Sequence, residues 1–163
     1  MHATTYETMD KAVRKYLDRN KPLKVLDVGS FNVNGTYKAL FAVPGWEYHG
    51  IDIVAGPNVD LVVDSDYRWE SLVSGSYDVV ISGQTMEHVT EPWSLAAAIG
   101  RVCKNGGLGF VIAPHTHQLH RHPLDCWRVF PDGMSHVMKK YGGFEQLECG
   151  MHGEDTFFFG RKV

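Results

Sequence analysis

Apolar and polar positions follow two rhythms along this chain. Over residues 5–19, Tyr6, Met9, Val13, Tyr16 and Leu17 recur three or four apart, which predicts one buried face of a helix. Thr4 and Glu7 form a capping box at its start, and Asn20-Lys21-Pro22 stops it. Residues 24–28 then form a nearly continuous apolar run. A run without polar alternation predicts a central parallel strand covered on both faces. Similar short runs predict strands at 46–52, 59–64, 77–82 and 108–113. Between them lie a short helix from 36 to 41 and a longer one from 92 to 103, with Leu95, Ile99 and Val102 on one face. Pro92 in its first turn and Gly106 beyond its end fit the usual asymmetry of helix termini.

The region from 114 to 131 is irregular and rich in histidine. A helix over 132–141 follows, with Met134, Val137 and Met138 inward. The last two strands fall at 144–149 and 156–161. The gap between them is too short for a parallel crossover, so they form an antiparallel hairpin at a sheet edge. Strands alternating with helices imply an α/β fold with a seven-stranded, mostly parallel, Rossmann-like sheet and helices on both faces. Residues 1–163 read as one domain, with an N-terminal helical segment in 1–20 and a loop at 114–131 on the side of the substrate.

Composition narrows the function classes. The chain has 163 residues, 44 % of them hydrophobic and 21 % charged, with a net charge of −3. That length buries roughly two-thirds of the unfolded chain's surface without a disulfide or metal staple. The negative charge argues against a sequence-independent grip on nucleic acid. Cys103, Cys126 and Cys149 are odd in number and widely spaced, so a reduced, cytoplasmic chain is expected. No apolar run is long enough to span a membrane, and the first twenty residues are too charged for a signal peptide.

The candidate chemistry gathers at strand ends. Ligands of open α/β sheets sit beyond the carboxyl ends of the strands, where strand order reverses. Gly29 and Ser30 follow the first strand, Asp52 ends the second with Ile53 next to it, Asp64 and Ser65 close the third, and Ser82 and Gln84 close the fourth. Gly29, Asn34 and Gly35 suit a loop that must approach a ligand closely. Asp52 stands where a carboxylate accepts from both ribose hydroxyls, and Asp64 where one accepts from an adenine amine, a job that Asp66 two residues on could also do. A pyrophosphate calls for a glycine-rich run or a basic residue in the first loop, and Ser30-Phe31-Asn32-Val33-Asn34 offers neither. An amino-acid tail bearing a sulfonium fits better. The same lack of GxGxxG argues against a nicotinamide-dependent oxidoreductase.

These segments resemble the class I S-adenosylmethionine-dependent methyltransferases. Residues 77–82 with Glu87-His88-Val89 resemble the fourth-strand motif of one group within that superfamily. Arg101-Val102-Cys103-Lys104-Asn105-Gly106-Gly107 resembles its helix end. Residues 123–133 resemble a P-x-D-Y-W-R-x-T-P-x-G segment of a bacterial, type 11-like subgroup. The resemblance covers roughly residues 23–144. It implies S-adenosylmethionine as cofactor, with S-adenosylhomocysteine as product. It places Asp27 and Gly29 beside the methionine moiety, Asp52 on the ribose, Asp64 and Ser65 at the adenine, and Ser82 and Gln84 beneath the sulfonium. Phe31 and Val33 stand where the family loop often has glycines, so this loop follows its own path.

The expected reaction is methyl transfer to an unidentified acceptor by in-line attack. The leaving group is neutral, so the protein chiefly aligns and desolvates. A hydroxyl acceptor also needs a base, for which His88 comes first and His115 or His122 second. His115, His117, His120 and His122 share one loop with Asp125 and Cys126. Their spacing fits a structural zinc site only loosely, and the resembled segment carries an aromatic residue at the Cys126 place. The loop is therefore read as a polar rim of the acceptor pocket, with no metal. The sequence shows no inserted lid, so an open site is expected, one that suits a bulky acceptor or that a homodimer or partner protein completes. The alternative function is a catalytically weak methyltransferase-fold protein that binds the cofactor as a regulatory or partner subunit.

Overall fold

A computed structural model describes residues 3–163. Met1 and His2, at the head of the expected N-terminal helical segment, lie outside the described residues. The elements run α1 (Ala3–Tyr16), β1 (Leu23–Val28), β2 (Trp46–Asp52), β3 (Leu61–Val62), β4 (Tyr77–Gly83), α2 (Pro92–Val102), β5 (Cys103–Pro114), α3 (Pro131–Lys140), β6 (Phe144–His152) and β7 (Asp155–Lys162), with short 3-10 turns at Lys38–Phe41 and Met86–His88. The seven strands form one sheet in the order β3-β2-β1-β4-β5-β7-β6. β1 pairs in parallel with β2 and β4, and β4 with β5. β7 runs antiparallel between β5 and β6. This is the mostly parallel, Rossmann-like sheet with an antiparallel edge hairpin expected from the alternation of strands and helices.

The continuous apolar runs follow from burial on both faces. Leu26, Val80, Val111 and Phe158 point to one face, under Leu95 and Ile99 of α2 and Met134 and Met138 of α3. Val25, Val79, Ile81, Phe110 and Phe159 point to the other, under Met9, Ala12 and Val13 of α1 and Phe41 of the first 3-10 turn. Asp27 breaks the β1 run where the strand meets the site.

Several boundaries differ from expectation. α1 begins by Ala3, so Thr4 lies inside the helix, where its carbonyl accepts from Thr8 Oγ1 at 2.7 Å. Residues 36–41 make only a 3-10 turn at Lys38–Phe41. β3 shrinks to two residues, because it pairs with β2 only at Ile51 and Asp52. β5 starts at Cys103, which already faces Tyr77 across a bulge in the β4 register. The final hairpin is longer, and its turn is confined to Gly153 and Glu154.

Candidate active site

Strand order reverses between β1 and β4, and a cavity of about 500 Å³ opens there beyond the carboxyl ends of β1, β2 and β4. That volume lies within the range of small-molecule sites. Asp27, Gly29, Ser30, Asn34, Gly35, Asp52, Ile53, Gln84, His88 and His122 all line it.

The loop after β1 is held by its neighbours. Gly29 has φ +75°, and a Cβ there would stand 2.0 Å from Thr85 Oγ1. Gly29 and Ser30 donate their amides to the Ile51 carbonyl at 3.0 Å each. Ser30 Oγ donates to the Asn58 carbonyl, and Asn58 Nδ2 returns a bond to the Ser30 carbonyl. The Phe31 ring lies over Gly56, where a Cβ would meet it at 2.1 Å. The loop thus takes its own path with Phe31 and Val33 in place of glycines, because Phe31 is seated against Gly56. Gly35 (φ +144°) donates its amide to Asn32 Oδ1 at 2.7 Å.

Asp52 joins this loop to β2. Its Oδ2 accepts the Phe31 amide at 3.0 Å and its Oδ1 the Val54 amide at 3.1 Å. A carboxylate has about four acceptor positions, so two stay available toward the cavity. Asp27 is 3 % exposed. Burial pushes its carboxyl up to about 7, although the Tyr48 hydroxyl donates to it. A cation in the cavity would favour its ionised form.

At the end of β4 the wall is made by Gly83, Gln84 and Thr85. Ser82 lies outside it. Its buried Oγ donates to the Val28 carbonyl at 3.1 Å and ties β4 to β1. Gln84 adopts φ +60° and donates through Nε2 to Asp155 Oδ1 at 2.8 Å. Asp155 Oδ2 accepts from Thr5 Oγ1 at 2.6 Å, so one buried carboxylate couples α1 to the cavity floor.

The third strand's contribution also differs from the sequence expectation. Asp64 and Ser65 lie outside the cavity wall, and Asp66, Val63 and Trp69 form it. Asp64 is exposed, and Ser65 Oγ accepts the Arg68 amide at 2.9 Å in a local turn. Burial raises the Asp66 carboxyl, with Asp52 adding to the shift. Tyr37 Oη and Trp69 Nε1 are buried in the wall without a partner among the described residues. A ligand with polar atoms in this cavity would satisfy both.

The histidine loop forms the remaining wall through His117, His120, His122, Pro123 and Leu124. The loop expected on the substrate side thus borders the cavity along one wall. His115 lies outside the wall and packs its ring 6.2 Å from Phe130. Trp127 and Arg128 fasten the loop. Trp127 Nε1 donates to the Val89 carbonyl at 2.8 Å. Arg128 makes two bonds to Asp125, at 2.6 and 2.9 Å, and further bonds to the His117 and Gln118 carbonyls. That pairing holds the Asp125 carboxyl well below the usual range. The Cys126 and Trp127 amides reach the Glu87 carbonyl. His88 Nδ1 lies 2.6 Å from the Leu124 carbonyl, and burial lowers the pKa of its imidazole. Glu87 was not singled out as a site residue from the sequence. It is fully buried, and burial pushes its carboxyl up to about 8.

A family model described as a methyltransferase domain matches residues 26–111, more than half of the chain. The chain belongs to the methyltransferase-domain family. S-adenosylmethionine is the cofactor that goes with this methyltransferase family. An uncharacterized methyltransferase of Mycobacterium sp. strain JLS is 36 % identical over 92 residues, which cover 52 % of this chain and 36 % of that protein. The match thus spans about a third of the relative's length. Two solved structures share the fold. The Burkholderia thailandensis 1,6-didemethyltoxoflavin-N1-methyltransferase, with bound 1,6-didemethyltoxoflavin and S-adenosylhomocysteine, superposes with a TM-score of 0.73 at 15 % identity, over 98 % of this chain and 78 % of that one. A Haloferax volcanii chain in complex with the Trm112 methyltransferase activator gives 0.74 at 15 % identity, over 96 % and 89 %. No helix among the described residues of this methyltransferase-family chain is long and apolar enough to cross a membrane.

Proposed function

We propose that this domain transfers a methyl group from S-adenosylmethionine to an acceptor docked against the histidine loop. The observation that supports it is the convergence of three strand ends and the segment after β3 on one cavity, with Asp52 at the end of β2 keeping acceptor capacity in hand. The bound cofactor supplies a sulfonium-activated methyl group with a neutral leaving group.

Asp52 takes the ribose hydroxyls. Asp66, rather than Asp64, takes the adenine amine, with Trp69 and Val63 against the ring. Asp27 and the Gly29 loop take the charged amino-acid tail, and a cation there draws the Asp27 proton off. Gln84, Thr85 and Tyr37 line the floor toward the reacting end. Ser82 acts through the strands, holding β4 in register with β1. His122 lies in the wall on the acceptor side and is the base for a hydroxyl acceptor. The Leu124 carbonyl holds His88 Nδ1 and so fixes its ring, leaving Nε2 as the atom with a free lone pair. His115 is left outside the reaction.

Calorimetric titration with S-adenosylmethionine and S-adenosylhomocysteine tests the reading. Saturable heat with both is expected, reduced at least tenfold in affinity by Asp52→Ala. Folded protein that gives no heat with either ligand rules it out. Binding without turnover over an acceptor panel of hydroxyl, amine, thiol and carbon nucleophiles would leave a cofactor-binding partner subunit instead.

A further inference from the structure

Three atoms that accept rather than donate converge at the histidine end of the cavity. Glu87 Oε1 lies 3.6 Å from His88 Nε2 and 3.9 Å from His120 Nε2. Ligand atoms of these three residues all fall within 4.8 Å of one another. The outer ring nitrogens decide the tautomers. His88 Nδ1 sits 2.6 Å from the Leu124 carbonyl, which can only accept, so Nδ1 carries the hydrogen. His120 Nδ1 faces the Gln118 carbonyl at 3.1 Å and Asp125 Oδ2 at 3.5 Å, and is a donor for the same reason. Each Nε2 therefore carries a free lone pair near Glu87 Oε1.

Glu87 is 0 % exposed, and neither of its carboxylate oxygens has a hydrogen-bond partner among the described residues. A carboxylate buried in that state is costly. A proton removes the charge but leaves both oxygens without a partner, because 3.6 Å is beyond hydrogen-bond reach. A cation does. Nitrogen and oxygen ligands about 2.0–2.2 Å from a tetrahedral centre stand roughly 3.3–3.6 Å from each other. The two Glu87 separations lie within a few tenths of an ångström of that range, and the two imidazoles, no more than 4.8 Å apart, would close on the ion by side-chain rotation.

We propose that Glu87, His88 and His120 bind a divalent first-row transition ion of the zinc type. Two imidazoles and one carboxylate are borderline ligands that suit zinc, cobalt or iron(II) rather than magnesium or calcium. The outer shell is already built. A backbone carbonyl orients His88, and Asp125, itself gripped by Arg128, orients His120. His88 and His120 both line the cavity, so the remaining coordination positions open into it. The site reverses the reading of this loop as a metal-free polar rim, and two of its three ligands, Glu87 and His88, lie outside the loop. If methyl transfer as proposed above holds, the ion faces the acceptor and would take an acceptor oxygen.

The test uses the full chain without an affinity tag, stripped with a chelator. Cobalt(II) titration followed by visible absorption, with zinc competition against a chromophoric chelator, should show one equivalent bound. Glu87→Gln, which keeps the side chain's volume, and His120→Ala should each weaken zinc at least tenfold, while Cys126→Ser leaves affinity and spectrum unchanged. Melting of each metal-free variant checks that it folds. Absence of cobalt or zinc binding by folded wild type overturns the proposal. So does binding that survives both Glu87→Gln and His120→Ala, or a spectrum lost in Cys126→Ser. S-adenosylmethionine calorimetry on the same samples reports separately. Its failure with metal binding intact would sink methyl transfer and leave this site standing.

Discussion

Gly29 and Thr85 touch so closely that a single methyl group at position 29 would lie 2.0 Å from Thr85 Oγ1. The contact joins the loop after β1 to the loop after β4 and sets the width of the crevice. Gly29→Ala meets both this clash and a φ of +75°. It should destabilise the domain by about 1–3 kcal/mol and weaken cofactor binding. Adding Thr85→Gly removes the clash but not the backbone strain, so the double variant should recover only part of the loss. Chemical denaturation and calorimetry on the three proteins check this. A Gly29→Ala variant as stable as wild type would refute the tight junction.

Asp52 serves two backbone amides and, in our proposal, the ribose. Asp52→Asn keeps one oxygen for an amide but loses charge and half of its acceptor capacity. Hydrogen bonds to a charged group are worth about 1.5–3 kcal/mol. Cofactor affinity should therefore fall roughly ten- to a hundredfold, and the melting temperature should drop as one of the two amides loses its acceptor. Equal affinity in the variant would exclude Asp52 from the site.

Asp66 and Asp64 separate two readings of the same segment. Only Asp66 lines the cavity. Asp66→Asn should weaken S-adenosylhomocysteine several-fold, and Asp64→Asn should leave it unchanged. The reverse pattern would return the adenine contact to Asp64.

Asp27 predicts a pH dependence with a definite sign. Its carboxyl, ordinarily near 4, titrates at about 7 in the folded protein because it is buried. Between these values the folded state keeps a proton that the unfolded chain has released. The group's contribution to apo-protein stability is thus largest below about 4 and declines as pH rises through about 7. Against Asp27→Asn, wild type should lose about 2–3 kcal/mol of relative stability between pH 5 and pH 8. Cofactor affinity of the wild type should rise over the same interval, as the carboxylate forms beside a cationic ligand, and that of Asp27→Asn should stay flat. Parallel pH profiles for the two proteins would contradict the assignment.

The parts of the fold that bury two faces were legible from residue pattern alone. β1 and β4 read correctly because covering both sides leaves no room for polar alternation. β3 did not, since an edge strand with two paired residues has little to enforce a pattern. The same shortness hid which carboxylate of this segment lines the cavity. After the Val63 amide bonds to the Asp52 carbonyl, the chain turns, and the carboxylate that enters the cavity is two residues later than counting suggests. Gly29, Asp52 and Gln84 could be located because strand ends converge by topology. Ser82 could not be distinguished from its neighbours, because the strand continues one residue beyond it and turns its hydroxyl back to Val28. The convergence of Glu87 with His120 was invisible. It depends on the path of an irregular loop, and that path is set by Arg128, Asp125 and two amides on one carbonyl.

The position of β7 has a consequence for how the domain is made. β6 pairs only with β7, and β5 meets β7 along its outer edge, so neither edge is satisfied until residues 155–162 have been synthesised. Folding during translation must therefore wait with two open strand edges, which favours chaperone engagement and aggregation over early commitment. Asp155 opens that strand and is the carboxylate that fixes Gln84. The floor of the crevice thus sets only when the sheet closes, and a nascent chain stalled before residue 155 would carry the Gly29 loop, Asp52 and the histidine loop without the floor that Gln84 completes.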